Sequence, residues 1–455
     1  MKKALWLLFR WILLPAVIAA LSAAAFAMSR PPAPGDMRIS IEQLSDARLR
    51  VTYDLDARRR ELIFKIVPGG YRARRWTIET PGFRLLRLDT EDRIIRTDGS
   101  KFDRITLVAA PDIIRLPKEY QPVARYGEGG ALIYTGHFWP MTRKGGRTNA
   151  TFSFSPAAGG EVVAFGVRKP ALMDWRSPMA HPAFVYMGPL APVETDQIMA
   201  IVDPNAPPWI VDEFYRLAPK IFDYLAKTMG FEPLTKPNLF LAAPLGHDEG
   251  RLSYAGDALP GQFQITLAGA AWKNSTPKAK SIFRRSTIHE ALHLWQSAAA
   301  RPGIEETAPW IHEGGADAAA AEAMLALGFW DGPAFEHFST AAQTDCAKGL
   351  NEGPLTGAEK RGAYRAIYAC GVVIAEAVAR ADGTTATAFW RDFMIETGRR
   401  GSYSDDFFYD FVEQRTGDKA FARALRYFVE TPLANPRREI ARLMQAAALA
   451  PQPGR

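Results

Sequence analysis

The sequence predicts a multidomain α+β protein, with a β-sandwich-like amino-terminal domain, a mostly helical second domain and a short helical segment at the carboxyl end. Three observations carry that prediction. The chain has 455 residues, more than one hydrophobic core serves, so two or three domains are expected. Residues 37–198 are cut into short alternating runs divided by turn signals. Beyond Pro204-Asn205-Ala206-Pro207-Pro208 the apolar spacing changes to steps of three and four.

The chain opens on a segment with the layout of an export signal. Lys2 and Lys3 precede an apolar run, and Ala25-Phe26-Ala27 offers a small-residue cleavage site. Arg10 interrupts the run, leaving Trp11 to Ala27, 17 residues, barely enough to cross a bilayer. Residues 1–27 are therefore expected to be a signal peptide or an uncleaved membrane anchor, with a buried helix as a third reading. The first two place the protein in the periplasm or outside the cell, with a membrane tether in the anchored case.

In the β-rich domain, the runs RLRVTYDL, ELIFKIV, RRWTIET, FRLLRL, RITLVAA, ALIYTGHF, TFSFS and EVVAFGV alternate with PGG, DGS, KGGR and AAGG. Short strands at such spacing indicate a sandwich or barrel. A second, mostly helical domain is expected over 204–400. It starts with a helix from Trp209 to Met229, which sets Ile210, Phe214, Leu217, Ile221 and Leu225 on one face. Two strands, NLFLAA (238–243) and GQFQITLAG (261–269), follow on either side of a Gly-rich loop. Helices are then expected over 278–300, 313–328, 363–380, 386–397, 404–415 and 418–445, the last two within the carboxyl-terminal segment 401–455.

Composition narrows the class of function. Hydrophobic content of 47%, charged content of 23% and eleven tryptophans describe a folded rather than a disordered chain. The net charge of +7 comes from scattered arginines without a nucleic-acid motif, so a basic solvated surface is expected and no nucleic-acid partner. The two cysteines, Cys346 and Cys370, form one disulfide in an exported chain or remain two buried thiols.

The chemistry is concentrated in Thr287-Ile288-His289-Glu290-Ala291-Leu292-His293-Leu294-Trp295. Two of only seven histidines stand four apart, so on a helix both imidazoles reach one ion. Glu290 lies about 100° round the helix from His289, where it can touch a water activated by zinc and take its proton as general base. A catalytic zinc needs a third protein ligand and an open position. Glu313, in Trp310-Ile311-His312-Glu313-Gly314-Gly315-Ala316-Asp317, is the candidate, opening a second helix whose alanines allow close packing. Asp317, four residues on, shares its face and can accept from a ligating imidazole. His312 is the rival ligand, although as the neighbour of Glu313 it points elsewhere on a helix.

His289-Glu290-x-x-His293 with Trp310-x-x-Glu313-Gly314-x-Ala316 resembles the gluzincin metallopeptidases, and in particular the aminopeptidase N and glycyl aminopeptidase families. The Glu313-x-x-x-Asp317 element is similar to the glutamate ligand and supporting aspartate of thermolysin. The resemblance spans roughly 200–400 and implies a thermolysin-like catalytic domain, a Zn2+ cofactor and a peptide or protein substrate. It also implies that Tyr368, in Tyr368-Ala369-Cys370-Gly371, stabilises the tetrahedral transition state, as the tyrosine of the families' Tyr-x-Lys-Gly does. Cys370 stands where the lysine would be, and Tyr364, one turn earlier, is the rival tyrosine.

A second departure concerns the strand that binds the substrate amine through a glutamate in those families. The corresponding edge here is expected at Gly261-Gln262-Phe263-Gln264-Ile265-Thr266, which has no acid; the nearest upstream acids are Asp257, Glu249 and Asp248. On that premise, preference for free amino termini should be weak. His247, in the same loop, could line a substrate groove, while His137, His181 and His337 are expected to serve packing or the surface. The combined reading is a zinc metallopeptidase. Two alternatives stay open: a binding module with a zinc-stabilised appendage, which would not need Glu290, and a zinc hydrolase of a non-peptide substrate.

Overall fold

The computed structural model describes residues 37–450 apart from 45–46, 66, 68, 113–119, 178–180, 234, 247–249, 301–307 and 402. The expected signal or anchor at 1–27, His247 with Asp248 and Glu249, and the Pro302-Gly303 break lie outside the described residues. No helix among the described residues is long and apolar enough to cross a membrane.

Fourteen strands among the described residues build the first half around the expected sandwich. They are β1 (Met37–Gln43), β2 (Leu49–Arg59), β3 (Glu61–Phe64), β4 (Trp76–Ile78), β5 (Phe83–Arg87), β6 (Asp92–Arg96) and β7 (Phe102–Ala109), then β8 (Val123–Arg125), β9 (Ala131–Tyr134), β10 (Ala150–Ser155), β11 (Glu161–Ala164), β12 (Val167–Lys169) and β13 (Leu172–Trp175). The strand β14 (Phe184–Gly188) completes this half, and a short helix, α1 (Tyr71–Arg75), precedes β4. One sheet runs β13-β10-β1-β2-β7-β4, a second β12-β11-β14-β9-β8, and a small third β3-β6-β5. Ile39, Val51, Leu107 and Phe152 of the first sheet share an apolar core with Ile133, Val162 and Val185 of the second. The outward side chains of β1 and β2 alternate with buried ones, the pattern of a sheet wetted on one face. By contrast, β9 and β14 are buried at every position, because their second face is covered as well.

What covers it is the sheet of the second half. Its strands β15 (Val193–Glu194), β16 (Met199–Val202), β17 (Asn238–Ala242), β18 (Ser253–Leu259) and β19 (Gln262–Ala268) run in the order β15-β16-β17-β19-β18. Phe184 and Tyr186 of β14 pack with Ile201 and Phe240. The Gln262 amide donates to the Phe184 carbonyl at 2.8 Å and accepts from its N–H at 2.9 Å, fixing the two sheets to each other. The sheet of the second half thus starts before the Pro204–Pro208 break, because β16 pairs in parallel with β17. A boundary at 198 and 204 divides strands that one sheet unites.

Residues 253–259 are the main departure from the sequence-based reading. They form β18, not a loop, and pair antiparallel with β19 across a hairpin whose turn holds Gly261 at φ 73°. The expected edge at 261–266 is therefore an interior strand between β17 and β18. The edge is β18.

Nine helices follow among the described residues: α2 (Pro208–Met229), α3 (Pro277–Ala300), α4 (Pro309–Ala326), α5 (Gly332–Leu350), α6 (Tyr364–Asp382), α7 (Ala386–Arg400), α8 (Asp405–Thr416), α9 (Lys419–Glu430) and α10 (Pro436–Leu449). The helix α5 was not expected from periodicity, since only Ala342, Cys346, Ala347 and Leu350 of it are buried. The single helix expected at 418–445 is two, broken at Thr431-Pro432 and restarted with Pro436 at its first turn. Phe407, Leu425 and Leu443 of the last three helices belong to the same apolar core as Trp295 and Ile374. The carboxyl-terminal segment is thus a continuation of the helical part.

Candidate metal centre

The helix α3 is held at its carboxyl half by Trp295, whose indole N–H donates to the Phe231 carbonyl at 2.7 Å and whose ring meets Phe222. With Ile288, Ala291, Leu292 and Leu294 buried on the core side, His289 and His293 are left facing a groove. The helix α4 starts at Pro309, so Glu313 sits one turn inside it rather than opening it. Its alanines are buried, and at Gly314 it meets α6 backbone to backbone. A Cβ at Gly314 would lie 2.2 Å from the Cα of Gly371, and one at Gly371 would lie 2.3 Å from the Trp310 carbonyl oxygen. Only glycine permits that approach, and the approach brings Tyr368 over Glu313.

Three donor atoms converge. His289 Nε2 and His293 Nε2 are 3.1 Å apart, and Glu313 Oε2 lies 3.3 Å from the first and 3.7 Å from the second. A tetrahedral zinc with bonds of ~2.0–2.2 Å requires donors roughly 3.3–3.5 Å apart. His289, His293 and Glu313 fit that ion. His289 Nδ1 stands 3.0 Å from Asp317 Oδ1, as its spacing from Glu313 predicts, and Arg285 in turn donates to Asp317 at 2.7 Å. His293 Nδ1 lies 2.8 Å from Gln296 Oε1. His293 is thus fixed through its second nitrogen by a hydrogen bond, and His289 is held by its ion pair with Asp317.

The field at this point favours positive charge. Burial by itself would lower His289, but the Asp317 hydrogen bond and charge, with Glu313, lift it to about 10. Burial opposes the ionised form of Glu313, yet hydrogen bonds from His289, His293 and His312 hold its carboxyl well below the usual range. Burial, joined by the charges of Glu313 and Glu290, pushes the Tyr368 phenol above its ordinary value, so it remains a neutral donor. Its hydroxyl is within hydrogen-bonding reach of Glu313, and its ring is 6.0 Å from that of His289. Tyr364 lines the same groove. His312 pairs with the Tyr403 hydroxyl at 2.8 Å and stays out of the ligand triad.

The groove has a volume of about 1830 Å³. Its floor carries Glu290, 6% exposed, and its opposite wall is β18. That strand passes so close that a Cβ at Gly256 would lie 2.2 Å from Glu290 Oε1. Asp257, the next residue, is pushed well above the usual carboxylate range by burial first and then by the charge of Glu290. Its side chain bonds Gln264, and the Gln121 main chain reaches it from the β domain. An acid therefore stands on the edge strand: Asp257, expected in the loop before 261–266, lies on β18. The expected tie between Cys346 and Cys370 is present as a disulfide, joining α5 to the turn of α6 that carries Tyr368.

Gln296, Arg285, Gly256 and the roles of Asp257 and Gln121 were not anticipated. Gln296 and Arg285 were within reach of helical spacing, three residues after His293 and four before His289. Gly256, Asp257 and Gln121 carry no local signal.

The sequence matches no family model and no curated protein. Among solved structures, the fold is similar to that of an aminopeptidase N family protein from Idiomarina loihiensis, at 12% identity and a TM-score of 0.63, covering 89% of this chain and 78% of that one. It is also similar to yeast LTA4 hydrolase in complex with bestatin, at 13% identity and a TM-score of 0.53, covering 90% and 71%. At these identities the likeness is one of fold, and it agrees with the gluzincin resemblance of the motifs.

Proposed function

We propose that the chain is a zinc-dependent metallopeptidase that hydrolyses peptide bonds, with His289, His293 and Glu313 as the ligands. The observation that carries this reading is the triad of donors 3.1–3.7 Å apart on the floor of a groove, with the carboxylate of Glu290 and the neutral phenol of Tyr368 beside it. A zinc ion held there supplies Lewis acidity and makes water acidic near neutral pH. Glu290 takes the proton of the attacking water and returns it to the leaving amine. Tyr368 donates a hydrogen bond to the oxygen on which negative charge develops. Asp317 and Gln296 keep the two imidazoles in the tautomer and orientation that ligation needs.

Asp257 and Glu290 supply what an amino-terminal cleavage mode requires. Two carboxyl groups forced together resist ionising together, and an ammonium entering beside them relieves that repulsion. The premise for weak amino-terminal preference, an edge strand without an acid, is gone, so the reading is an aminopeptidase. Purified protein should hold close to one zinc per chain, and His293→Ala or Glu313→Ala should abolish it. Glu290→Gln should keep the metal and lose ~10²–10⁴ in turnover, the range of a general base. One peptide series with free and acetylated amino termini decides the cleavage mode: equal cleavage of both would overturn it.

A further inference from the structure

Among the described residues four arginines line the groove: Arg147, Arg251, Arg285 and Arg365. Three have ordinary roles. Arg285 pairs with Asp317 at 2.7 Å, Arg365 pairs with Asp345 at 2.9 Å, and Arg251 is exposed at the rim beside Ser253. Arg147 is different. Its guanidinium carbon sits 5.4 Å from the centre of the Trp139 ring, within hydrogen-bonding reach of Tyr134, and its Nη1 is shut off from solvent without a hydrogen-bond partner. Among the described residues no carboxylate pairs with it. Burial pulls it below its ordinary value, and only the tyrosines Tyr134 and Tyr120 offset that pull. A desolvated cation without a counter-ion is costly, and an incompletely satisfied buried group in a groove wall requires an explanation.

Its position supplies one. The Tyr134 ring stacks on Tyr120 at 4.4 Å, and the Tyr120 hydroxyl donates to the carbonyl of Ala258 at 3.4 Å, one residue beyond Asp257. His181 also lines this wall, its imidazole held below its ordinary value by burial and then by Arg147, and so neutral and able to donate. If the substrate ammonium rests at Asp257 and Glu290, the side chain of that same first residue extends toward the wall of Tyr120, Tyr134, Arg147 and His181.

We infer that Arg147, with Tyr134 and His181, forms a subsite for a carboxylate on the first residue of the substrate, so that the protein prefers peptides beginning with aspartate or glutamate. This rests on the amino-terminal reading proposed above. A carboxylate completes the hydrogen bonding of the guanidinium with charge-assisted bonds, whereas the isosteric amide leaves the charge unneutralised.

The test has a binding arm and a turnover arm. Titration calorimetry on zinc-loaded protein should find L-glutamate bound about 10- to 100-fold more tightly than L-glutamine, the scale of hydrogen bonds to a charged group. Arg147→Gln should bring that ratio close to one, and Arg147→Lys should retain part of it. Zinc content and binding of L-leucine report whether each variant is folded. In turnover, anilides beginning with Glu, Gln and Leu, which have no terminal carboxylate, should show the same loss of the Glu-over-Gln ratio in kcat/KM. Equal binding of glutamate and glutamine by the wild type would overturn the inference. So would a variant that weakens glutamate, glutamine and leucine by one common factor. Discrimination confined to peptides with a free carboxyl terminus would also overturn it, by assigning Arg147 to that end of the substrate. Cleavage of no peptide alongside an intact glutamate preference that Arg147→Gln removes would sink the peptidase reading and leave the subsite standing.

Discussion

The groove has two walls, and they are specified in different ways. The helical wall of α3, α4 and α6 carries His289, Glu290, His293, Glu313 and Tyr368, each placed by a spacing within one helix and by glycine contacts between helices. The wall opposite consists of β18, held by its hairpin with β19, and the β-domain segment around Tyr120 and Gln121, which reaches β18 through contacts across a long separation such as Tyr120 to Ala258. On the proposed function, one wall holds the reacting groups and the other selects what reaches them. The difference teaches that a cluster of donor side chains can be locally encoded while the wall that faces it is not.

Tyr368→Phe should have the largest effect of three tests of this division. It removes one donor from the helical wall and should cost ~10²–10³ in turnover with zinc content unchanged. Tyr364→Phe is the control, and steady-state kinetics of both variants would reveal a misassigned tyrosine if the control lost the rate instead.

Gly256→Ala tests the strand wall through its contact with the base. The added Cβ meets the end of the flexible Glu290 side chain, so the carboxylate is displaced while the backbone stays in place. Turnover should fall by ~10², the scale of a small misplacement, with a stability loss of no more than ~1–3 kcal/mol from overpacking. A thermal melt and zinc analysis separate the two effects; metal loss would mean the strand supports the ligands and not only the base.

The smallest change is expected from Asp317→Ala, which should weaken metal affinity by ~10–100-fold through the orientation of His289. Competition with a chelator measures it. An unchanged affinity would reduce Asp317 to the partner of Arg285 and strip the helical wall of its support.

Much of the fold was legible because periodicity survives in sequence. The sandwich strands β1 and β2 alternate cleanly, and α2 and α6 keep an apolar stripe. Two elements escaped for physical reasons. The strand β18, SYAGDAL, has partial burial at almost every position because it edges an open groove, so no alternation marks it. The helix α5 buries little and shows a correspondingly weak stripe.

By itself the sequence determined which side chains converge, His289, His293 and Glu313 with Asp317 behind His289, because helical geometry converts a spacing of four into a shared face at a fixed distance. It also named Cys346 and Cys370 as the one possible pair but left them joined or free, and the structure joins them. The tertiary structure alone decided which strand is the edge, that Asp257 stands beside Glu290, and that Arg147 from a domain more than a hundred residues earlier faces the same groove. Those placements depend on sheet order and on the docking of two sheets through Gln262 and Phe184. Such contacts join residues distant in the chain, and no local period records them.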